Sequence, residues 1–393
     1  MNEGQTIPLT SRISPSPGTQ GEGRGEGLRS KCLLPIAACL LGLTLPASAQ
    51  TAPSPRPRPD GLADQPGLVR GDEITPQQRQ SVEKGLAWLA RNQGPNGEYG
   101  ARAGGYGATS AITSLAGLAF MSAGNLPGRG KYGENTQRCV DYILSCSQES
   151  GLLAADNSHG VMYSHGFATL FLAEAYGMTG DENVKEKLQK AIRLIQQCQN
   201  REGGWRYLPI PLDADISVTI CQVMALRAAR DAGIKVEKET IDRAIHYVRS
   251  CQNADGGFSY MANFGGGGGS GFERSAAGVA ALYYAGIFEG DDIRRGLDYI
   301  RQFLPGAGVG GQTISHYYYG QYYAVQAMFL AGGDYWARWY PAIREELLAK
   351  QDANTGSWPG AEVSEDYSTS IALIVLQMPN RYLPVFSGKG PGS

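Results

Sequence analysis

Asp213 and Asp215 stand in the stretch Asp213-Ala214-Asp215-Ile216-Ser217, at the start of an apolar run. Paired carboxylates can do general acid or base work when one of them is held protonated. The same residue type also caps helix starts. Three of the four histidines, His159, His165 and His316, fall in comparable places, together with Glu273, Arg274, Glu365 and Asp366. A fold that gathered the starts of those apolar runs at one mouth would surround it with imidazoles, acids and a guanidinium. Asp215 is the first candidate acid and Asp213 the second. His159, His165, Arg274, His316, Tyr318, Tyr319 and Asp366 are the candidates for a ligand-binding rim. His159, His165 and Asp215 lack metal-type spacing, so no metal is expected, and no other cofactor is expected either.

The elements that must position these residues repeat along the chain. Gln93, Gln148, Gln199, Gln252, Gln302 and Gln351 are spaced by 55, 51, 53, 50 and 49 residues. Each follows an amphipathic helical stripe, as in Gly85-Leu86-Ala87-Trp88-Leu89 or Ala244-Ile245-His246-Tyr247-Val248. After the glutamine comes a glycine and often an aromatic: Gly97-Glu98-Tyr99, Gly203-Gly204-Trp205, Gly256-Gly257-Phe258, Gly356-Ser357-Trp358. The second copy keeps only Gly151, and the fifth keeps Gly306 without an aromatic. Glycine ends a helix because it takes the left-handed conformation without a Cβ penalty. The glutamine amide is placed to bond helix-end groups, and the aromatic to pack on the turn.

A second helix, apolar and poor in charge, follows each turn. The pattern predicts these near residues 108–123, 167–176, 217–232, 276–285, 319–330 and 368–376. Amphipathic helices alternating with apolar ones predict an outer and an inner ring, hence an all-α, α6/α6 toroid with an open solenoid as the alternative. The connections from outer to inner helix are the long ones, which puts the polar candidates on one rim. Gly265–Gly269 lies on the same rim and reads as a flexible insertion, with a lid as the alternative.

Lys84-Gly85, Trp88-Leu89, Gln93, Gly97 and Tyr99 resemble the repeat motif of the squalene/oxidosqualene cyclase and protein prenyltransferase β-subunit superfamily. The resemblance covers about residues 75–384 and implies an α6/α6 barrel round an apolar cavity. The cyclases carry Asp-x-Asp-Asp-Thr at the start of an inner helix. By that resemblance Asp215 falls on the proton donor, while Ile216 replaces the adjacent Asp. The zinc site of the prenyltransferases is not matched: 273–285 contains no Asp-x-Cys, and Tyr319 stands where the later His is expected. Toroidal glycosidases use two facing carboxylates, for which Asp215 and Asp366 are the available pair. The expected function is therefore binding or processing of an isoprenoid-like apolar small molecule in the cavity. The alternatives are a non-catalytic repeat scaffold with a protein or envelope partner, and a divergent terpenoid cyclase with Asp215 as general acid.

The 393 residues carry 35 Lys+Arg against 37 Asp+Glu, a formal charge of −2. Phosphate binding needs clustered surplus cation, so no nucleic-acid partner is expected. Residues 1–27 lack an apolar period and read as a disordered leader, with translation expected to start near Leu28. Arg29 and Lys31, the apolar stretch 32–45 and Ala47-Ser48-Ala49 have the order of an export signal over 28–49. Cleavage near Ala49 would release an exported protein with no stable transmembrane segment. Residues 50–74 read as a Pro-rich linker and 385–393 as a flexible tail. Cys139, Cys146, Cys198, Cys221 and Cys251 form no disulfide framework.

Overall fold

A computed structural model describes residues 73–100, 109–155, 160–262, 268–306, 314–360 and 363–387. The leader, the export signal, the linker up to residue 72, His159 and Gly265–Gly267 lie outside the described residues. The described residues form twelve α-helices and isolated β-bridges.

Helices of odd number are α1 Pro76–Asn92, α3 Gly133–Ser145, α5 Glu182–Gln197, α7 Lys238–Ser250, α9 Asp291–Arg301 and α11 Gly333–Lys350. Those of even number are α2 Ser110–Ser122, α4 Val161–Thr179, α6 Ile216–Asp231, α8 Phe272–Tyr284, α10 Tyr317–Ala331 and α12 Glu365–Leu376. In α5 the buried residues are Val184, Leu188, Ala191, Ile192 and Ile195, one stripe at helical spacing. In α6 every residue from Ile216 to Ala229 is buried. The odd helices are thus the outer ring and the even helices the inner one. Inner neighbours pack in the order α2, α4, α6, α8, α10, α12, and α12 returns to α2. The ring is closed, so the toroid stands and the open solenoid falls. Several inner helices begin earlier than their apolar runs, α4 at Val161 rather than near Phe167.

The repeated residues lock neighbouring hairpins. Gln199 Nε2 donates to Gly203 O at 2.8 Å and to Thr240 O at 2.9 Å, so one amide ties its own turn to the next outer helix. Gln93 and Gln252 do the same through Asn135 and Asp292. Gly203 has φ 101°, and a Cβ there would sit 2.1 Å from Arg243 O. Only glycine permits that approach. The aromatic tip returns to the preceding outer helix: Tyr99 Oη donates to Leu89 O, Trp205 Nε1 to Ile195 O and Trp358 Nε1 to Leu347 O.

The ends of the chain also pack on the ring. Glu73 is buried and accepts from Trp336 Nε1 at 2.8 Å. The 3-10 turn Pro384–Ser387 packs against α6 and α10. Val385 and Phe386, expected in a flexible tail, are buried, because they fill the end of the ring away from the long connections. All five described cysteines are free thiols. No described helix is long and apolar enough to cross a membrane.

Candidate functional site

The inner helices start on the side of the long connections, and their first turns surround a cavity of about 680 Å³. The third helical residue of five inner helices faces it: Ile112, Tyr163, Arg274, Tyr319 and Tyr367. Leu115 and Phe167 line it one turn deeper, and Tyr207 and Tyr260 line it from the connections. The wall is mostly carbon, with tyrosine hydroxyls, Ser164, Ser217, Glu273, Arg274 and His316 supplying its polar atoms. Cavities of this size and lining suit a small ligand buried over most of its surface.

Asp215 is fully buried and is not among the lining residues. It caps α6, with Oδ1 accepting from Val218 N at 2.9 Å. Its Oδ2 accepts from the Tyr260 hydroxyl at 3.1 Å, and Arg206 Nε lies 3.7 Å away. Burial lifts its carboxyl from 3.8 to about 6, against the pull of the Val218 amide, the Tyr260 hydroxyl and Arg206. The Tyr260 hydroxyl also bonds that of Tyr207. A chain of three hydrogen-bonding groups therefore runs from the buried acid to the cavity wall. Asp213 is half exposed and paired with Arg206 at the base of the connection, away from the cavity lining.

The other candidates divide. Arg274, His316 and Tyr319 line the cavity. His316 sits at φ 49° as the residue before α10, and Tyr319 donates its hydroxyl to Ser217 O at 3.0 Å. Arg274 Nε lies 3.7 Å from Glu273 Oε1. Tyr318 is buried edge-on to Tyr317, outside the lining. Asp366 accepts from Gly100 N at 2.8 Å and tethers the first connection. It does not line the cavity, so Asp215 and Asp366 are not a facing pair of catalytic carboxylates.

His165 does not belong to the rim. It is wholly buried, its Nδ1 accepts from Leu153 N at 3.1 Å, and its Nε2 faces Ala191 O at 3.3 Å. In other repeats the matching amide, two residues after the turn glycine, is taken by a hydroxyl: Thr113 for Tyr99, Thr219 for Trp205, Ser275 for Phe258 and Thr369 for Trp358. His165 substitutes for that hydroxyl where the aromatic is replaced by Leu153. Desolvation lowers its pKa to about 4.

Sequence reasoning missed Tyr163, Tyr207, Tyr260 and Tyr367. A signal was present for two of them: Tyr207 and Tyr260 each stand two residues after the turn aromatic, in Trp205-Arg206-Tyr207 and Phe258-Ser259-Tyr260. Among the described residues no cluster of three metal-type side chains occurs.

A family model, the prenyltransferase alpha-alpha toroid domain, matches residues 75–314. The chain belongs to this family. No curated protein matches it in sequence. Among solved structures, the toroid is similar to a variant of the type II terpene cyclase MstE from Scytonema in complex with its product merosterolic acid A. The two share 13% identity over 78% of this chain and 98% of that one, with a TM-score of 0.52. It is also similar to an alpha-1,6-mannanase of Salegentibacter sp., at 11% identity over 76% and 98% with a TM-score of 0.59. A sugar epimerase from a ruminal bacterium shares 14% over 78% and 98%, with a TM-score of 0.58. At these identities the likeness is one of fold, and function must be argued from the toroid's own site.

Proposed function

We propose that this toroid binds an isoprenoid-like apolar molecule in its central cavity, with the polar end of the ligand at the mouth. The observation that carries the reading is the cavity itself: Leu115 and Phe167 form its deeper wall, while Arg274, His316 and the tyrosine hydroxyls stand at the entrance. The inner helices also start there, so their positive dipole ends favour a polar or anionic head group. Membership of the prenyltransferase toroid family supports the isoprenoid class. The Arg29 to Ala49 segment supports export, in which case the ligand is met outside the cytoplasm.

The test is to incubate the purified protein with squalene and prenyl diphosphates and to read retained ligand by native mass spectrometry. Phe167→Trp, which fills the deeper wall, should abolish retention. Retention unchanged by Phe167→Trp would refute binding in this cavity.

A second reading, a divergent cyclase, is favoured by one observation: the buried Asp215 carboxyl is protonated in the mildly acidic range and linked to the cavity wall through Tyr260. Under this reading Asp215 is the acid and Tyr260 relays its proton. Product formed by the wild type and lost in Asp215→Asn would select it, and ligand retained without turnover would select the binder.

A further inference from the structure

Among the described residues, the large hydrophobic side chains exposed to solvent are Tyr207, Leu208, Ile210, Leu212 and Tyr382. Four of these five fall in one six-residue segment, Tyr207-Leu208-Pro209-Ile210-Pro211-Leu212, in the connection between α5 and α6. Leu208, Ile210 and Leu212 are 58%, 43% and 76% exposed. Tyr207 is part of the cavity lining, so the segment stands at the cavity mouth.

Two further features say what this segment meets. The first is its backbone. Pro209 and Pro211 have no N–H to leave unpaired. The N–H of Ile210 donates to Leu208 O at 2.8 Å, and that of Leu212 donates to Ile210 O at 3.0 Å. The Tyr207 carbonyl accepts from Met162 N at 3.1 Å. Hydrocarbon penalises every unpaired backbone donor, whereas water does not. From residue 209 to 212 each amide is therefore bonded internally or removed by proline, which suits the tip of the loop to a phase that offers no acceptors. The second feature is charge. Residues 207–212 carry none, and the flanking Arg206 and Asp213 neutralise each other in an ion pair at the loop base. The segment therefore complements uncharged lipid rather than an acidic or basic surface. Tyr207, with its ring on the cavity and its hydroxyl on Tyr260, has the amphipathic character favoured at a membrane–water boundary.

We propose that Tyr207–Leu212 is a lipid-docking loop, which seats the cavity mouth on the surface of a bilayer by inserting Leu208, Ile210 and Leu212 among the acyl chains. The contact is interfacial. This inference goes beyond the proposed cavity ligand, and docking needs no ligand bound.

The experiment is flotation of the purified full chain with phosphatidylcholine vesicles, without added ligand. Wild type is expected to float, with partition changed little by salt or by added anionic lipid. The triple variant Leu208→Ser/Ile210→Ser/Leu212→Ser is expected to lose roughly 10-fold or more in partition. These side chains are exposed, and an unchanged thermal melt will establish that the variant is folded. A second variant, Leu212→Trp, should float at least as well as wild type and gain fluorescence quenched by brominated phosphatidylcholine. Phe167→Trp should float like wild type while losing the cavity ligand, which separates failure of docking from failure of the cavity reading. Wild type remaining with the unbound fraction would overturn the proposal, as would a triple variant that floats normally. A concentration-dependent dimer dissolved by the triple variant, without flotation of wild type, would assign the loop to self-association instead.

Discussion

Tyr260 holds the start of α6 at two points: its hydroxyl donates to Asp215 Oδ2 at 3.1 Å, and its carbonyl accepts from Ile216 N at 3.0 Å. The cap of one repeat's inner helix is thereby fixed by the next repeat's connection. A carboxyl in this place is closed off from solvent, and Tyr260, bonded in turn to Tyr207, links it to the cavity wall.

The pH dependence follows from that burial. Between about 3.8 and 6 the folded protein retains an Asp215 proton that the unfolded chain has released. Its contribution to stability is therefore full below pH 3.8 and is lost as the pH rises through 6. Asp215→Asn keeps an oxygen to accept from Val218 N, presents its amide N–H to the Tyr260 oxygen so that this bond reverses direction, and cannot ionise. Denaturant melts should show the variant gaining on wild type between pH 4 and 7, by about 3 kcal/mol at most. A difference that does not vary with pH would mean that Asp215 titrates normally.

His165 titrates in the opposite sense. Its pKa is lowered from 6.5 to about 4, so the folded protein binds fewer protons than the unfolded chain in that interval. Stability from the neutral ring is full above pH 6.5 and lost as the pH falls through 4. His165→Thr, which installs the residue found at Thr113 and Thr219, should flatten this acid limb and leave ligand retention within about twofold. His165→Ala strands the Leu153 amide in the core and should cost about 1–3 kcal/mol in urea melts at pH 7.

The contrast between Gln199 and His165 explains what could be read from the sequence. Gln199, Gly203 and Trp205 each make a bond that recurs, so their spacing specified the hairpin and, summed round the chain, the toroid. His165 makes a recurring bond through a substituted side chain, and a histidine near a candidate rim resembles a ligand. Its true signal was the missing aromatic at Leu153, which marks a repeat whose turn chemistry has changed. The meeting of Tyr207 with Tyr260 depends on how two connections fold over one another, which no local period encodes. Val385 and Phe386 lie too near the chain end to show any period, yet they are buried because the ring leaves an opening that they fit.

Ring closure itself can be probed at one amide. Gln351 Nε2 donates to Ser81 O at 2.9 Å and to Gly356 O at 2.7 Å, joining the last turn to the first outer helix. Gln302, at the matching place in the fifth repeat, donates instead to Asp298 O of its own helix at 3.4 Å. Gln351→Ala should therefore cost about 1–3 kcal/mol, and Gln302→Ala no more than about 0.5 kcal/mol. Equal losses in chemical denaturation would show that the bridge to Ser81 does not contribute.

Phe167 lines the cavity and packs edge-on against Tyr322, with ring centroids 6.0 Å apart, and Tyr322 packs in turn against Phe386 at 6.5 Å. This aromatic column separates the ligand space from the closed end of the ring. Glu174 anchors it by accepting from Val385 N at 3.2 Å. Phe386→Ala removes the last ring, and should cost about 3–5 kcal/mol while deepening the cavity. Native mass spectrometry across farnesol, geranylgeraniol and squalene should show the variant retaining longer chains than wild type. Burial raises the Glu174 carboxyl from 4.5 to about 8, with the Val385 amide opposing and Asp231 adding to the rise. Its contribution is full below pH 4.5 and is lost as the pH rises through 8, when a bare carboxylate must be accommodated in the core. Hydrogen exchange at Val385 should accordingly quicken between pH 6 and 9 beyond the intrinsic rate, and Glu174→Gln should remove the excess. Exchange that follows only the intrinsic rate in both proteins would place the anchoring of the C-terminal turn in its apolar contacts rather than in Glu174.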